Sequence, residues 1–280
     1  MWSLLLACHP TSTSMTPVHT GDTGAPTDPD CVQGETVCED EVCWVSMCAG
    51  AFDMGAWHEL GIADELPVHR VRLQSFDILK TEVLVAIWDR CVADGACVDV
   101  IARGAPAFCQ DRLPDHPRGC LSSEDAASVC AWLGGSVASE AQWEYAARSA
   151  GEQRIYPWGD EPAPSCDLAV LGYVDNDPCG EAGPGLACSR PDGNTADGLC
   201  DMAGNLYEWV ADAYHNTYDD APADGSAWVV PTSSYGILRG GGINSDEPVT
   251  TTNRVFHDPT FYYSGSGTRC VRPPPRAARR

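Results

Sequence analysis

Between Val68 and Ser75 the chain alternates with a period of two. Val68, Arg70, Arg72 and Gln74 interleave with His69, Val71, Leu73 and Ser75, which predicts a half-buried strand. The pattern then changes: VLVAIWDR over residues 83–90 reads as a helix that stops before CVADGAC. A second helix is predicted in SSEDAASVCAWLGG, where Ser122 or Ser123 caps the N-terminus. Glu124 and Asp125 complement its first turn, and Gly134 and Gly135 stop it. A third is predicted in SEAQWEYAARSAG, with Ser139 as N-cap and Gln142 completing a capping box. Its Trp143, Ala146 and Ala147 are spaced for one apolar face. After the YPWGDE turn, short apolar runs are broken by Gly, Pro, Asp and Trp as far as residue 272. Few helices, many loops and no repeat of roughly 20–50 residues describe an α+β domain with irregular strands.

Composition narrows the class. Asp plus Glu number 40 against 17 Lys plus Arg, a net charge of −23 over 280 residues. That field repels phosphates and argues against nucleic acid or an anionic membrane surface as partner. No apolar run approaches the roughly 18 residues of a membrane-spanning helix. The 15 cysteines include no CxxC pair, so an exported, disulfide-rich protein is expected rather than a reduced cytosolic one.

Residues 2–7, WSLLLA, precede Cys8 in the manner of a lipoprotein signal, although the apolar stretch is shorter than the usual ~7–15 residues and no basic residue precedes it. Setting a lipidated Cys8 aside leaves 14 cysteines, an even number able to form seven disulfides. Residues 1–8 are thus a partial lipoprotein-type signal. Residues 9–30, rich in Thr, Pro, Gly and Asp, are a disordered tether. Residues 31–48 form a cysteine-rich preamble whose Cys31, Cys38, Cys43 and Cys48 make either two disulfides or, alternatively, a metal knot. The main domain runs over 49–272, followed by a basic tail at 273–280.

Eight segments of that domain occur in a distinctive order: FDMG, DELPVHRVRLQSFDILKTEV, HPRGCLSSEDAASVCAWLGG, SEAQWEYAAR, YPWGDE, GLCDMAGNLYEWV, LRGG and TRC. Together they resemble the formylglycine-generating enzyme / sulfatase-modifying factor family, in its secreted, cysteine-rich bacterial form. The resemblance implies a C-type-lectin-like α+β fold with little regular structure and bound calcium. In DMAGNLYE, the positions matching Asp201 and Glu208 supply side-chain oxygens, and those matching Gly204 and Leu206 supply carbonyls, which suits a hard cation. A second family site maps onto Asp167, the Leu168 carbonyl, Asp177 and the Cys179 carbonyl.

The enzymes of the family oxidise a cysteine of a sulfatase peptide to formylglycine, using two cysteines that bind copper(I). The matching positions here are Ser245 and Thr250, and the serine of the family's RGGS is Gly242. Hydroxyls are hard, weak ligands for copper(I), so copper is not expected as a cofactor. The family's scaffold disulfide maps onto Cys130 and Cys270. Proximity in sequence adds Cys91–Cys97, Cys109–Cys120, Cys166–Cys179 and Cys188–Cys200.

Arg239 and Arg254 are expected to pair with buried carboxylates among Glu140, Glu144 and Glu208. Phe256, Phe261, Tyr262 and Tyr263 either line a groove or pack in the core. The first functional reading is an extracytoplasmic, calcium-stabilised, non-catalytic domain, a monomer that binds a peptide or glycan and meets a membrane only through a lipid anchor. The alternatives are a formylglycine-generating oxidoreductase and a purely structural surface protein.

Overall fold

The computed structural model describes residues 28–106, 109, 113–172, 179, 183–229, 234–243 and 249–275. Cys8, Asp177 and Ser245 therefore lie outside the described residues, as do the leader and nearly all of the tether. Among the described residues, no helix is long and apolar enough to cross a membrane.

Among the described residues, three sheets and three short α-helices make up the fold. The first sheet has strand order β1-β2-β5-β11-β6, from β1 (Thr36–Glu39), β2 (Val42–Met47), β5 (Phe76–Leu79), β11 (Cys270–Arg272) and β6 (Ser136–Val137). The second has order β10-β7-β8-β9, from β10 (Ser266–Thr268), β7 (Tyr207–Ala213), β8 (Gly236–Arg239) and β9 (Val255–His257), with β10 parallel to β7. The third is the β3–β4 hairpin (Gly50–Met54 and His69–Leu73), the latter being the strand read from the alternation. Residues 36–47, which stand in the expected preamble, are part of the main sheet: β2 pairs with β5 in register Val45↔Ile78. Val42, Trp44, Val45 and Met47 are buried there, so the preamble packs onto the domain core.

Two of the helices start where side-chain caps dictate, whereas the first has no side-chain cap at Leu84. In α2 (Ser123–Trp132) Ser122 and Asp125 form a reciprocal capping box, and in α3 (Glu140–Ala147) Ser139 and Gln142 do the same. The first helix, α1 (Val85–Ala93), runs further than its apolar pattern suggested. It carries Cys91 inward and ends only near Gly95, whose φ of +73° is left-handed.

Seven disulfides join Cys31–Cys48, Cys38–Cys43, Cys91–Cys97, Cys109–Cys120, Cys130–Cys270, Cys166–Cys179 and Cys188–Cys200. The four cysteines of residues 31–48 are thus two disulfides and no metal knot. The core also contains ion pairs. Arg239 Nη2 donates to Glu144 Oε2 at 2.6 Å, Arg148 Nη1 to Glu144 Oε1 at 2.9 Å, and Arg254 Nε to Glu140 Oε1 at 2.6 Å. Burial alone would raise the Glu140 carboxyl, but the Arg254 and Arg239 guanidinium groups hold it below the usual range.

Candidate functional site

Residues 201–208 form a tight turn leading into β7. Asp201, Gly204 and Asn205 have φ of 56°, 80° and 61°, all left-handed. At Gly204 a Cβ would lie 2.5 Å from the Val170 carbonyl oxygen, so only glycine fits. The turn is fastened by Gly204 N–H to the Gly240 carbonyl at 2.9 Å and Asn205 N–H to the Val170 carbonyl at 2.8 Å. Asp201 Oδ2 accepts from Cys188 N–H at 2.7 Å. Glu208 is fully buried. Its Oε1 accepts from Arg269 Nη2 at 2.8 Å and its Oε2 from Trp143 Nε1 at 2.8 Å.

Sequence reasoning missed a third carboxylate here. Glu82 is 0% exposed and neither of its oxygens has a hydrogen-bond partner. Burial, then the charges of Asp201 and Glu208, push its carboxyl well above the usual range, and Arg269 opposes them. Three carboxylates thus face the Arg269 guanidinium, and burial beside Asp201 and Glu208 favours the neutral form of Glu82. A visible signal existed: Glu82 directly precedes the uninterrupted apolar run VLVAIW. Among the described residues, no group of three or more His, Cys, Asp or Glu side chains forms a metal-holding cluster. A hard divalent cation, however, draws on backbone carbonyls as well as carboxylates. Orphaned Glu82 oxygens beside Asp201 and a carbonyl-rich turn fit such an ion, with Glu208 already engaged by Arg269 and Trp143.

The second expected calcium position is not brought together to the same degree. Asp167 is exposed, and Cys179 is tied to Cys166, whose carbonyl accepts from Arg190 Nε at 2.6 Å. The Leu168 carbonyl faces Gly193, where a Cβ would lie 1.7 Å away.

The position matching the family's copper ligands lies beyond β8. At Gly242 a Cβ would meet both Tyr207 Cδ2 and Tyr207 N at 3.0 Å. Thr250 is buried, with its Oγ1 3.4 Å from Thr252 Oγ1, which in turn lies 3.0 Å from His58 Nε2. Glu65, also buried and bonded to Thr252, is pushed up to about 7 by burial. Arg239 holds this segment in place by donating to the carbonyls of Thr251, Thr252 and Asn253 at 3.1, 2.6 and 2.9 Å. The surroundings are hydroxyl, imidazole and carboxyl groups, without a thiol among the described residues.

The four aromatic residues after β8 divide. Tyr263 and Phe261 stand with His257 on the Gly242 side: Tyr263 lies 6.2 Å from Tyr207, and Phe261 stacks on His257 at 5.0 Å. Tyr262 packs against the core cluster around Trp88 and Leu121. Phe256 contacts Tyr214 at 4.3 Å and Tyr235 at 5.3 Å, whereas the His257 ring joins Phe261 and Tyr263, as successive strand residues diverge. His69, beside Tyr218, and His116, beside Asp115, join neither group.

Mixed short sheets, two helices with capping boxes and a clamped turn at residues 201–208 surround the Arg239–Gly240–Gly241 segment. The chain belongs to the sulfatase-modifying factor enzyme 1-like domain family, which matches residues 33–274. It is 31% identical over 247 residues to a formylglycine-generating enzyme of Streptomyces coelicolor, covering 68% of this chain and 78% of that protein. It is 30% identical over 155 residues to the inactive C-alpha-formylglycine-generating enzyme 2 of Mus musculus, covering 54% of this chain and 47% of that one. The chain thus spans about half the length of the mouse relative. Among solved structures, PvdO of Pseudomonas aeruginosa superposes with a TM-score of 0.71 at 28% identity, covering 86% of this chain and 99% of that one. Treponema denticola variable protein 1, at a TM-score of 0.60 and 17% identity, shares the fold.

Proposed function

We propose that this chain is an extracytoplasmic, calcium-stabilised, non-catalytic member of its family, a monomer that binds a peptide or glycan in the cleft by Gly242, Tyr207 and Tyr263. The observation that carries this reading is the fate of the cysteines. All 14 between residues 31 and 270 are joined to one another, so none offers a thiolate to copper(I), and Thr250 presents a hydroxyl where the family has a ligand. An oxidising compartment accounts for the seven disulfides. The remaining thiol, Cys8, is the attachment point in the lipid-anchor part of the proposal. Similarity to an enzyme named inactive supports the non-catalytic part, and similarity to formylglycine-generating enzymes supports the opposite, so activity has to be measured.

The expected result is no copper(I) bound in titration and no aldehyde formed in a CxPxR-type peptide, read by mass spectrometry. Turnover of that peptide would overturn the proposal. For calcium, the expected ligands are Asp201, Glu82 and the carbonyls of the 201–208 turn. Chelator-treated protein should melt lower, and calcium at about a hundred times its dissociation constant should restore about 2.7 kcal/mol, or roughly 5–11 °C. Glu82→Gln should reduce that response. A melting temperature indifferent to both chelator and calcium would remove calcium from the proposal.

A further inference from the structure

On the Phe256 side of β8 and β9, away from Gly242, the chain forms an open trough of about 530 Å³. This lies within the roughly 300–1,000 Å³ range of small-ligand pockets. Its floor is aromatic and its rim carries short polar side chains. Trp228 and His215 stack face to face, with centroids 3.5 Å apart and planes 5° from parallel. Tyr214 and Tyr235 continue the wall, Tyr235 being 48% exposed, while Asn216 and Asp219 stand exposed at the rim.

The aromatic pair is fixed by hydrogen bonds that also tie it to the core, including Arg254 Nη1 to the His215 carbonyl at 3.1 Å. Trp228 N–H donates to Oδ1 of the buried Asp212 at 2.7 Å, and the Trp228 carbonyl accepts from Ala213 N–H at 3.1 Å. Asp212 Oδ2 accepts from Glu140 N–H at 2.7 Å, tying the Trp228 loop to the start of α3. His215 Nδ1 lies 2.9 Å from the Ala213 carbonyl. A neutral imidazole held in this way carries its hydrogen on Nδ1 and keeps Nε2 as an acceptor. The buried Asp212 carboxylate fixes the backbone that carries the partly exposed Trp228 ring, so part of the cost of ordering that loop is met before any ligand arrives.

We propose that this trough binds a neutral saccharide. A pyranose has an apolar C–H face that lies flat on an indole or phenol ring and a girdle of hydroxyls that seek carboxylate, amide and imidazole acceptors. Tyr235, together with the Trp228 face opposite His215, supplies the former; Asp219, Asn216 and His215 supply the latter. The net charge of −23 and the acid at the rim disfavour sulfated or carboxylated sugars. An extended peptide is the less favoured occupant. No residue of the edge strand β9 lines the trough, so a peptide there has no backbone ladder to join. The site does not depend on whether the Gly242 cleft is catalytic.

The test is titration calorimetry of the full chain with cellotetraose, chitotetraose and mannotetraose, with a sialylated oligosaccharide and a proline-rich peptide alongside. At least one neutral tetrasaccharide should bind. Trp228→Ala and Asp219→Asn should each weaken it about tenfold or more, while Val98→Ala, at an exposed position beyond α1, leaves it unchanged. Asp219→Asn keeps the test valid if Trp228→Ala fails to fold. Four outcomes would overturn the proposal: no neutral sugar bound at about 10 mM, binding indifferent to both substitutions, preference for the sialylated sugar, or capture of the peptide alone in a Trp228-dependent manner.

Discussion

Glu144→Ala is expected to destabilise the fold by about 3–5 kcal/mol, because it leaves buried positive charge without its counter-charge. Glu144 is 0% exposed and its two oxygens are fully committed. Oε1 accepts from Arg148 Nη1 and from Gly55 N–H, both at 2.9 Å, and Oε2 accepts from Arg239 Nη2 at 2.6 Å. The two guanidinium groups are themselves structural clamps. Arg148 also donates to the Asp53 and Glu152 carbonyls at 2.8 Å each, while Arg239 holds three successive carbonyls at Thr251, Thr252 and Asn253. A domain of ordinary stability has about 5–15 kcal/mol in total, so this loss is a large fraction of it. Urea denaturation should show the midpoint falling with an unchanged slope, and the melting temperature dropping by roughly 6–20 °C. The exposed pair Arg70–Asp53, at 42% and 51% side-chain exposure, supplies the contrast: Arg70→Ala should cost about 1 kcal/mol or less. Equal losses in the two variants would show that burial of the Glu144 pair is not the source of the effect.

The same clamps explain what the sequence alone does and does not reveal. Helices α2 and α3 are legible because their signals are local: Ser122 with Asp125 and Ser139 with Gln142 lie three residues apart. The end of α1 is less so, since Cys91 can close a loop to Cys97 as readily from a helix as from a turn. Strands such as β6, β9 and β10 have two or three residues, too few to carry a period. Strand β2 is obscured differently: its cysteine-rich flanks suggest an appendage, while its Val45 and Met47 fill the same core as Ile78 and Trp143. For the candidate site, Asp201 and Glu208 stand in one recognisable turn. Glu82 acquires meaning only when the fold brings it beside them. The Trp228 trough is hidden for the same reason, because its construction depends on Asp212 and Ala213, residues of a strand that nothing in the local pattern links to Trp228.

Removing the Cys130–Cys270 disulfide by paired alanine substitution is expected to cost up to about 5 kcal/mol. The bond spans 140 residues, and loop-closure entropy grows with the logarithm of that length. The figure is an upper value, since Cys166–Cys179 and Cys188–Cys200 already shorten the enclosed chain in the unfolded state. The Cys38–Cys43 bond spans 5 residues at an exposed hairpin, and its removal should cost about 2 kcal/mol or less. Urea denaturation of the two paired variants under non-reducing conditions tests the order, and equal losses would contradict the loop-length account. A second consequence follows from position. Cys270 adjoins Arg269, whose guanidinium donates to the carbonyls of Leu79, Lys80 and Cys200 and to Glu208. The disulfide ties α2 to β11 directly beside that arginine, so its loss loosens the cation that opposes the charges of Glu82, Asp201 and Glu208 together. The calcium-induced rise in melting temperature should therefore change in the Cys130/Cys270 variant and remain intact in the Cys38/Cys43 variant. A response that changes equally in both would mean that general destabilisation, rather than the placement of Arg269, links the disulfide to the carboxylate cluster.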